Sequence, residues 1–274
     1  MTSRGVTHIN AYQLRTLMQE LPEGDFLLVD VRETDEYEVE HISGARLIPL
    51  LLLESGVEEI PEVEHVVFYC RSGARSARAA AHAVARLGRR GVYNLAGGMQ
   101  GWQGRTVAKR PAMRIFDTAS SARDVLMQAM DLEKGAQRFY DAALRAVPGH
   151  PVARTFETLL HAETSHGRAL YGQLAKAVGD PVPDFETLFA QLEGVIVEGG
   201  EPLDDLLARL ATIDEVAIVE LALEVELTGY DLYRSMADVP SMVGLRSVLL
   251  EMAEHERAHV KVLLAEVQRL GVQG

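Results

Sequence analysis

Two kinds of hydrophobic patterning divide the chain. In roughly the first 110 residues, short continuous apolar runs alternate with amphipathic ones. Phe26-Leu-Leu-Val-Asp-Val31 and His65-Val-Val-Phe-Tyr-Cys70 have the character of strands buried on both faces, and Gly91-Val-Tyr-Asn-Leu95 repeats it more weakly. Asn10 is placed to cap a helix carrying Leu14, Leu17 and Met18, and the Ala-rich stretch from Arg75 to Arg89 has helical apolar spacing. Strands alternating with helices predict an open parallel α/β sheet. Beyond about residue 120 the period is helical, in stretches at 121–147, 150–178, 205–238 and 242–270. Pro148-Gly149 and Val239-Pro240 mark tight turns within each helix pair. Between the pairs, Gly179 to Pro202, with Pro181, Pro183 and Gly199-Gly200, forms a long crossover in which Phe185 to Leu192 is expected to make a short helix. A crossover of that length lets two helical hairpins run side by side as a four-helix bundle. The expected organisation is therefore an α/β domain over 1–108, a linker over 109–120 where periodicity lapses around Pro111, and an all-α domain over 121–274.

The helical half is internally duplicated. Glu163-Thr-Ser-His166 returns as Glu256-Arg-Ala-His259, and each copy has a glutamate 30 residues upstream, Glu133 and Glu226. The offset between halves is 93 residues, and it also matches Ala129 with Ala222 and Tyr140 with Tyr233. Residues three apart share a helix face, so each Glu-x-x-His points a carboxylate and an imidazole in one direction. All six polar residues lie within apolar-periodic helices and are expected to face inwards. Burying four carboxylates together costs many kcal/mol unless cations compensate. Two divalent ions would do so, and one Glu on each of two helices plus Glu-x-x-His on each of the other two is the donor pattern of di-iron and di-manganese bundles. Tyr140 and Tyr233, seven residues after their glutamates, are read as core with an occasional hydrogen bond to the site. His161 and His255 do not follow the repeat and are assigned to solvent.

Charge sharpens this division. The net charge is −13, but residues 1–110 hold 13 Lys/Arg against 14 Asp/Glu, while the remainder holds 14 against 26. An acidic C-terminal half argues against nucleic acid as a partner. No apolar run approaches the ~18 residues needed to span a bilayer, and the N-terminus has no signal-peptide pattern, so the expected location is the cytoplasm, away from membrane. Cys70 is the only cysteine, which excludes an internal disulfide and any Cys-rich zinc or rubredoxin-type iron site.

Cys70 ends its predicted strand and is followed by Arg71, Ser72, Gly73, Ala74, Arg75 and Ser76, then a helix. In parallel sheets ligands bind at the carboxyl ends of strands, and a loop entering a helix N-terminus turns several backbone N–H groups to one point. Gly73 permits the tight turn, and Arg71 and Arg75 are expected to help hold Cys70 as a nucleophilic thiolate. Asp30-Val-Arg32, Glu36-Tyr37, His41-Ile-Ser-Gly-Ala45, the loop Cys70 to Arg75 and Gly97-Gly-Met-Gln-Gly-Trp102 together resemble the rhodanese family of sulfurtransferases over roughly residues 7–104. The resemblance implies a rhodanese-like parallel sheet. It also implies that Cys70 takes a sulfane sulfur from compounds such as thiosulfate and holds it as a persulfide within the loop; with no second cysteine, the acceptor is expected to be external, such as a thiol, or the persulfide itself is the product. Cys70, Arg71 and Arg75 would be the catalytic group and Ser72, Gly73, Ala74 and Ser76 the substrate-binding loop; Asp30, Arg32 and His41 are read as scaffold. Glu40 departs from the family, which usually has glycine before the histidine.

Residues 120–270 resemble the rubrerythrin branch of the ferritin-like superfamily. That resemblance implies a ferritin-like four-helix bundle whose ligands are Glu133, Glu163, His166, Glu226, Glu256 and His259. It implies two iron ions per chain, with manganese or a mixed pair as alternatives, and a homodimer. Two departures stand out: Leu223 occupies the position of a further family glutamate, and the family's rubredoxin domain is missing, so reducing electrons must come from an external donor. The expected function is a two-site redox protein, with sulfur transfer at Cys70 and reduction of peroxide or oxidation by dioxygen at the metals. The alternative is an iron-storing or iron-sensing bundle attached to a working rhodanese.

Overall fold

The computed structural model describes residues 5–57, 60–88, 90–116, 121–177 and 182–271. The chain divides into two compact units, Met1–Arg110 and Pro111–Gly274. In the first, the order is β1 (Thr7–Ile9), α1 (Ala11–Glu20), β2 (Phe26–Asp30), α2 (Thr34–Val39), β3 (Arg46–Leu47), α3 (Leu50–Ser55), β4 (His65–Tyr69), α4 (Ala74–Leu87), β5 (Val92–Leu95) and α5 (Gly98–Gly101). The five strands are all parallel in the order β1-β5-β4-β2-β3. Successive residues of a strand face opposite ways. Leu27, Val29, Val66 and Phe68 accordingly pack with Leu50, Leu53, Ala79 and Ala83 on one side of the sheet, and Phe26, Leu28, Val67 and Tyr69 with Leu14 and Tyr37 on the other. Burial on both faces is why these strands read as unbroken apolar runs. Asn10 caps α1 in a reciprocal box with Gln13. Arg89, the expected last residue of the helix after Cys70, lies outside the described residues; α4 ends at Leu87.

The second unit is helical: α6 (Ala122–Ala146), α7 (Ala153–Ala177), α8 (Phe185–Gln191), α9 (Leu203–Leu210), α10 (Glu215–Met236) and α11 (Arg246–Arg269). Helix α6 packs along α7, α10 packs along α11, and α11 also touches α7. The expected linker is structured through Phe116: Met113–Phe116 forms a 3-10 turn, and Phe116 is buried with Val125 and Leu126 of α6. Residues 117–120, the rest of that linker, and 178–181, where the crossover was expected to begin, lie outside the described residues. The stretch 205–238 is two helices, contrary to expectation. Thr212 bonds back to Arg209, closing α9, and Asp214 accepts from the Ala217 amide at 2.9 Å to start α10. Apolar periodicity runs across this break because Leu210, Ile213 and Ile218 all pack in one cluster.

The apolar interior of this unit is in two parts. Helix α6 contributes Val125 to Leu132 to one cluster and Phe139 to Val147 to the other; α10 contributes Ile218 to Val225 and then Tyr230 to Met236. Helices α7 and α11 cross over likewise, from Phe156 to Leu170 and from Leu249 to Leu263. At each crossing point stands a buried glutamate, Glu133, Glu163, Glu226 or Glu256.

Gly135 of α6 shows how closely the crossover is applied: a Cβ there would lie 2.0 Å from the Ile196 carbonyl oxygen. Gly135→Ala is expected to destabilise this unit by about 1–3 kcal/mol through overpacking. Gly172→Ala, in α7 with nothing within 4 Å of the added carbon, is expected to stabilise it by about 0.5–1 kcal/mol. Denaturant midpoints with unchanged slopes would establish the opposite signs, and equal signs would exclude this packing.

Candidate functional site

Cys70 immediately follows β4 and its side chain is buried. Gly73, with φ +95°, turns the chain into α4 and brings donors round the sulfur. The Gly73 amide lies 3.2 Å from Sγ, the Ser76 amide 3.5 Å and the Ser76 hydroxyl 3.4 Å. Burial pushes the Cys70 thiol up, but the Ser76 hydroxyl and the amides of Ser76, Ser72 and Gly73 outweigh it, and the thiol sits below its ordinary value. The two arginines are placed differently, and the charge of Arg75 is felt at Cys70. Arg75 forms a bidentate pair with Glu36, at 2.6 and 2.7 Å, which ties the loop to α2, while Arg71, Ser72 and Ala74 are exposed at the loop's surface. The Cys70 and Arg71 carbonyls accept from the Met99 and Gln100 amides, so the Gly97–Trp102 segment fixes the loop from behind.

The neighbouring polar residues are scaffold. Arg32 grips Asp30 and donates to the Glu40 carbonyl at 2.7 Å. His41 stacks on Tyr37 with centroids 3.6 Å apart. Glu40 has φ −164°, extended backbone open to any residue, so the missing glycine changes nothing there.

In the helical unit, the six residues singled out by the repeat come together. The Nδ1 atom of His166 lies 3.3 Å from both Glu133 and Glu163; that of His259 lies 3.2 Å from Glu163, 3.1 Å from Glu226 and 3.9 Å from Glu256. All four carboxylates are fully buried and both imidazoles nearly so. Each tyrosine of the repeat serves the other half: Tyr233 donates to Glu133 at 2.5 Å and Tyr140 donates to Glu226. Two residues were not anticipated. Glu198, from the crossover, is fully buried beside Glu133, Glu163 and Glu256; its signal in the sequence is slight, a single acid between Val195-Ile-Val197 and Gly199-Gly200. His255 was assigned to solvent, but its ring stacks on His166 at 4.3 Å because α11 turns both His255 and His259 towards α7. His161 is exposed, as expected.

The electrostatics of this cluster are unbalanced. Burial works against charge on His166, but Glu133 and Glu163 outweigh it and raise the imidazole to about 9; Glu226 and Glu163 raise His259 to about 11. Burial pushes Glu163 up, yet the two imidazoles hold it at about 2. Burial first, and then the neighbouring acids, drives Glu198 and Glu256 well above the carboxylate range. Burial and the charges on His166 and His259 lower His255 to about 4. Neither oxygen of Glu198 or Glu256 accepts a hydrogen bond, whereas Glu163 has only the two imidazoles beside it. Oxygen and nitrogen donors form two overlapping groups, Glu163–His166–Glu256–His259 and Glu133–Glu163–Glu198–Glu256, each with its donor atoms within 4.8 Å of one another. Such a donor set fits divalent cations of intermediate hardness.

No described helix is long and apolar enough to cross a membrane. A family profile described as Rhodanese-like domain matches residues 13–105. The chain is 41% identical over 106 residues to Uncharacterized protein YqhL of Bacillus subtilis, covering 36% of this chain and 82% of that one. It is 31% identical over 103 residues to Thiosulfate sulfurtransferase GlpE of Coxiella burnetii, covering 38% of this chain and 90% of that one. Among solved structures, the human single-domain sulfurtransferase TSTD1 is 31% identical over 36% of this chain and 96% of its own, with a TM-score of 0.31. The profile spans β2 to β5 and the cysteine loop, and with the two relatives of 41% and 31% identity it shows that through this first unit the chain belongs to the rhodanese-like family.

Proposed function

We propose that the chain is a two-site sulfur and redox protein. Cys70 carries sulfane sulfur, and the second unit is a ferritin-like four-helix bundle that holds two metal ions. The support for the first site is the ring of donors on Sγ. The Cys70 thiolate attacks the outer sulfur of thiosulfate; a new S–S bond forms at Cys70, the S–S bond of thiosulfate breaks, and sulfite leaves with the electron pair. The Gly73 and Ser76 amides and the Ser76 hydroxyl keep negative charge at this position. A thiol acceptor then takes the sulfur and restores the thiolate. With no second cysteine in the sequence, that acceptor is another molecule.

The observation that carries the second site is the sharing of Glu163 and Glu256 between two donor groups. Those two glutamates are equivalent in the repeat, and together with Glu133, Glu226, His166 and His259 they would hold the ions. Tyr233 and Tyr140 fix the orientation of Glu133 and Glu226, and His255 holds the ring plane of His166. Burial of every donor excludes bulk water. Iron held there would supply electron-transfer chemistry towards peroxide or dioxygen, with an external donor as the source of electrons.

Protein purified without added metal is expected to contain about two irons per chain, as in the di-iron bundles with this donor pattern; zinc, or no metal, on elemental analysis would sink the second half of the reading. Cys70→Ala is expected to abolish transfer from thiosulfate to a thiol acceptor while metal content stays unchanged. Simultaneous loss of both would show that the sites are not independent. The rate of iodoacetamide alkylation at Cys70 is expected to rise at a lower pH than for an unstructured cysteine, because a lowered thiol is already ionised there. Ser76→Ala should move that rise to higher pH, and no movement would remove the hydroxyl from the account.

A further inference from the structure

Glu198 has no counterpart in the duplicated pattern, and it belongs to neither hairpin. The crossover brings it in through a tight loop built by its own backbone. The Val197 amide donates to the Glu201 carbonyl at 3.0 Å, the Gly200 amide to the Val197 carbonyl at 3.0 Å, and the Leu203 amide to the Val195 carbonyl at 2.9 Å. Helix α6 holds the loop's entry: the Gly194 amide donates to Asp131 at 3.0 Å, and Arg138 donates to the Glu193 and Gly194 carbonyls. On α10, Gly229 leaves the space that the Glu198 side chain occupies, since a Cβ there would lie 2.8 Å from the Glu198 Cβ. The loop is thus closed and anchored without using the carboxylate of Glu198.

That carboxylate is 0% exposed, and neither of its oxygens accepts a hydrogen bond. It is aimed at Glu133, Glu163 and Glu256, with donor atoms of all four within 4.8 Å. A fifth acid placed among four adds repulsion and desolvation, and nothing in the loop's own bonding offsets either. Cations shared by these oxygens offset both.

We propose that Glu198 is a seventh ligand of the two-ion site, supplied by the crossover, so that ion binding and the docking of residues 193–203 onto α6 and α10 are linked. This rests on the metal-binding reading above. Linkage then works in both directions: ions tighten the loop, and the docked loop tightens the ions. The helical hairpins alone supply six of the donors; the seventh makes the connection between them part of the site.

The test uses the full chain, stripped of metal and titrated with Co(II) under nitrogen. Bound cobalt is counted by elemental analysis and followed by its visible absorption, and amide hydrogen exchange is read over residues 193–203. The wild type is expected to take two cobalt ions per chain and to show slowed exchange in that loop. Glu198→Gln is expected to bind one of the ions at least about tenfold more weakly, in line with the losses seen when groups supporting a metal are removed, and to lose the cobalt-dependent protection. Glutamine matches glutamate in shape and removes a buried acid, so metal-free Glu198→Gln is expected to unfold at or above the wild-type temperature. Glu198→Ala is read in parallel, so that one variant's failure to fold leaves the other. Equal cobalt affinity, spectrum and loop protection in wild type and variants would overturn the role of Glu198 while leaving the two-ion site standing. A wild type that binds no cobalt would overturn both.

Discussion

The helical unit is governed by the cost of keeping charge away from water. Its four long helices pass from one apolar cluster to the other, and at the point of passage each presents a glutamate to a dry interior. A fifth acid arrives from the crossover. Two tyrosine hydroxyls and two imidazoles are the donors that reach this belt, and they are too few for ten carboxylate oxygens. In such a setting each unpaired carboxylate weighs against folding by several kcal/mol. The surrounding structure nevertheless holds them together, reciprocally: the tyrosine of each half orients the glutamate of the other. A purely structural core would have no use for such an arrangement, since apolar residues of similar volume would be more stable.

The first unit meets the same difficulty in the opposite way. One sulfur is surrounded by backbone amides and a hydroxyl already turned towards it, so negative charge is favoured there by fixed dipoles, with the Arg75 charge beside them. Two arginines also act on position. Arg75 clamps the loop to α2 through Glu36, and Arg32 braces the strand end through Asp30 and the Glu40 carbonyl. Anion stabilisation by fixed dipoles and cation capture by converging anions are chemically complementary. One unit turns fixed dipoles on a sulfur; the other draws buried carboxylates and imidazoles to one point.

Much of the fold is legible in the amino-acid order, because the relevant physics is local. Phe26–Asp30 and His65–Tyr69 announce themselves through continuous apolar runs, as strands covered on both faces must. Asn10 announces a helix start through a hydrogen bond that spans three residues. The convergence of Glu133, Glu163, His166, Glu226, Glu256 and His259 is legible for a different reason. Duplication writes the same face twice, and a shared register survives even where a single Glu-x-x-His means little. What is poorly legible lies where one stretch serves two packing roles. The break between Leu210 and Glu215 is hidden because residues on both sides enter the same cluster, and only the Asp214 cap separates them.

The sequence by itself determined the buried strands β2 and β4, the helix after Cys70, where the sulfur-bearing loop lies and which six side chains share the helical interior, since helical period, strand alternation and repeat register are properties of neighbours along the chain. Tertiary structure alone decided that Glu198 joins them, that His255 stacks on His166, and that Arg75 spends its charge on Glu36. Each of these depends on contacts between segments whose approach is set by packing: a loop fitted against Gly135 and Gly229, a helix rotated towards its neighbour, and a strand end set opposite a short helix. No pattern of neighbours encodes such approaches, because the groups involved meet only after the chain has closed on itself.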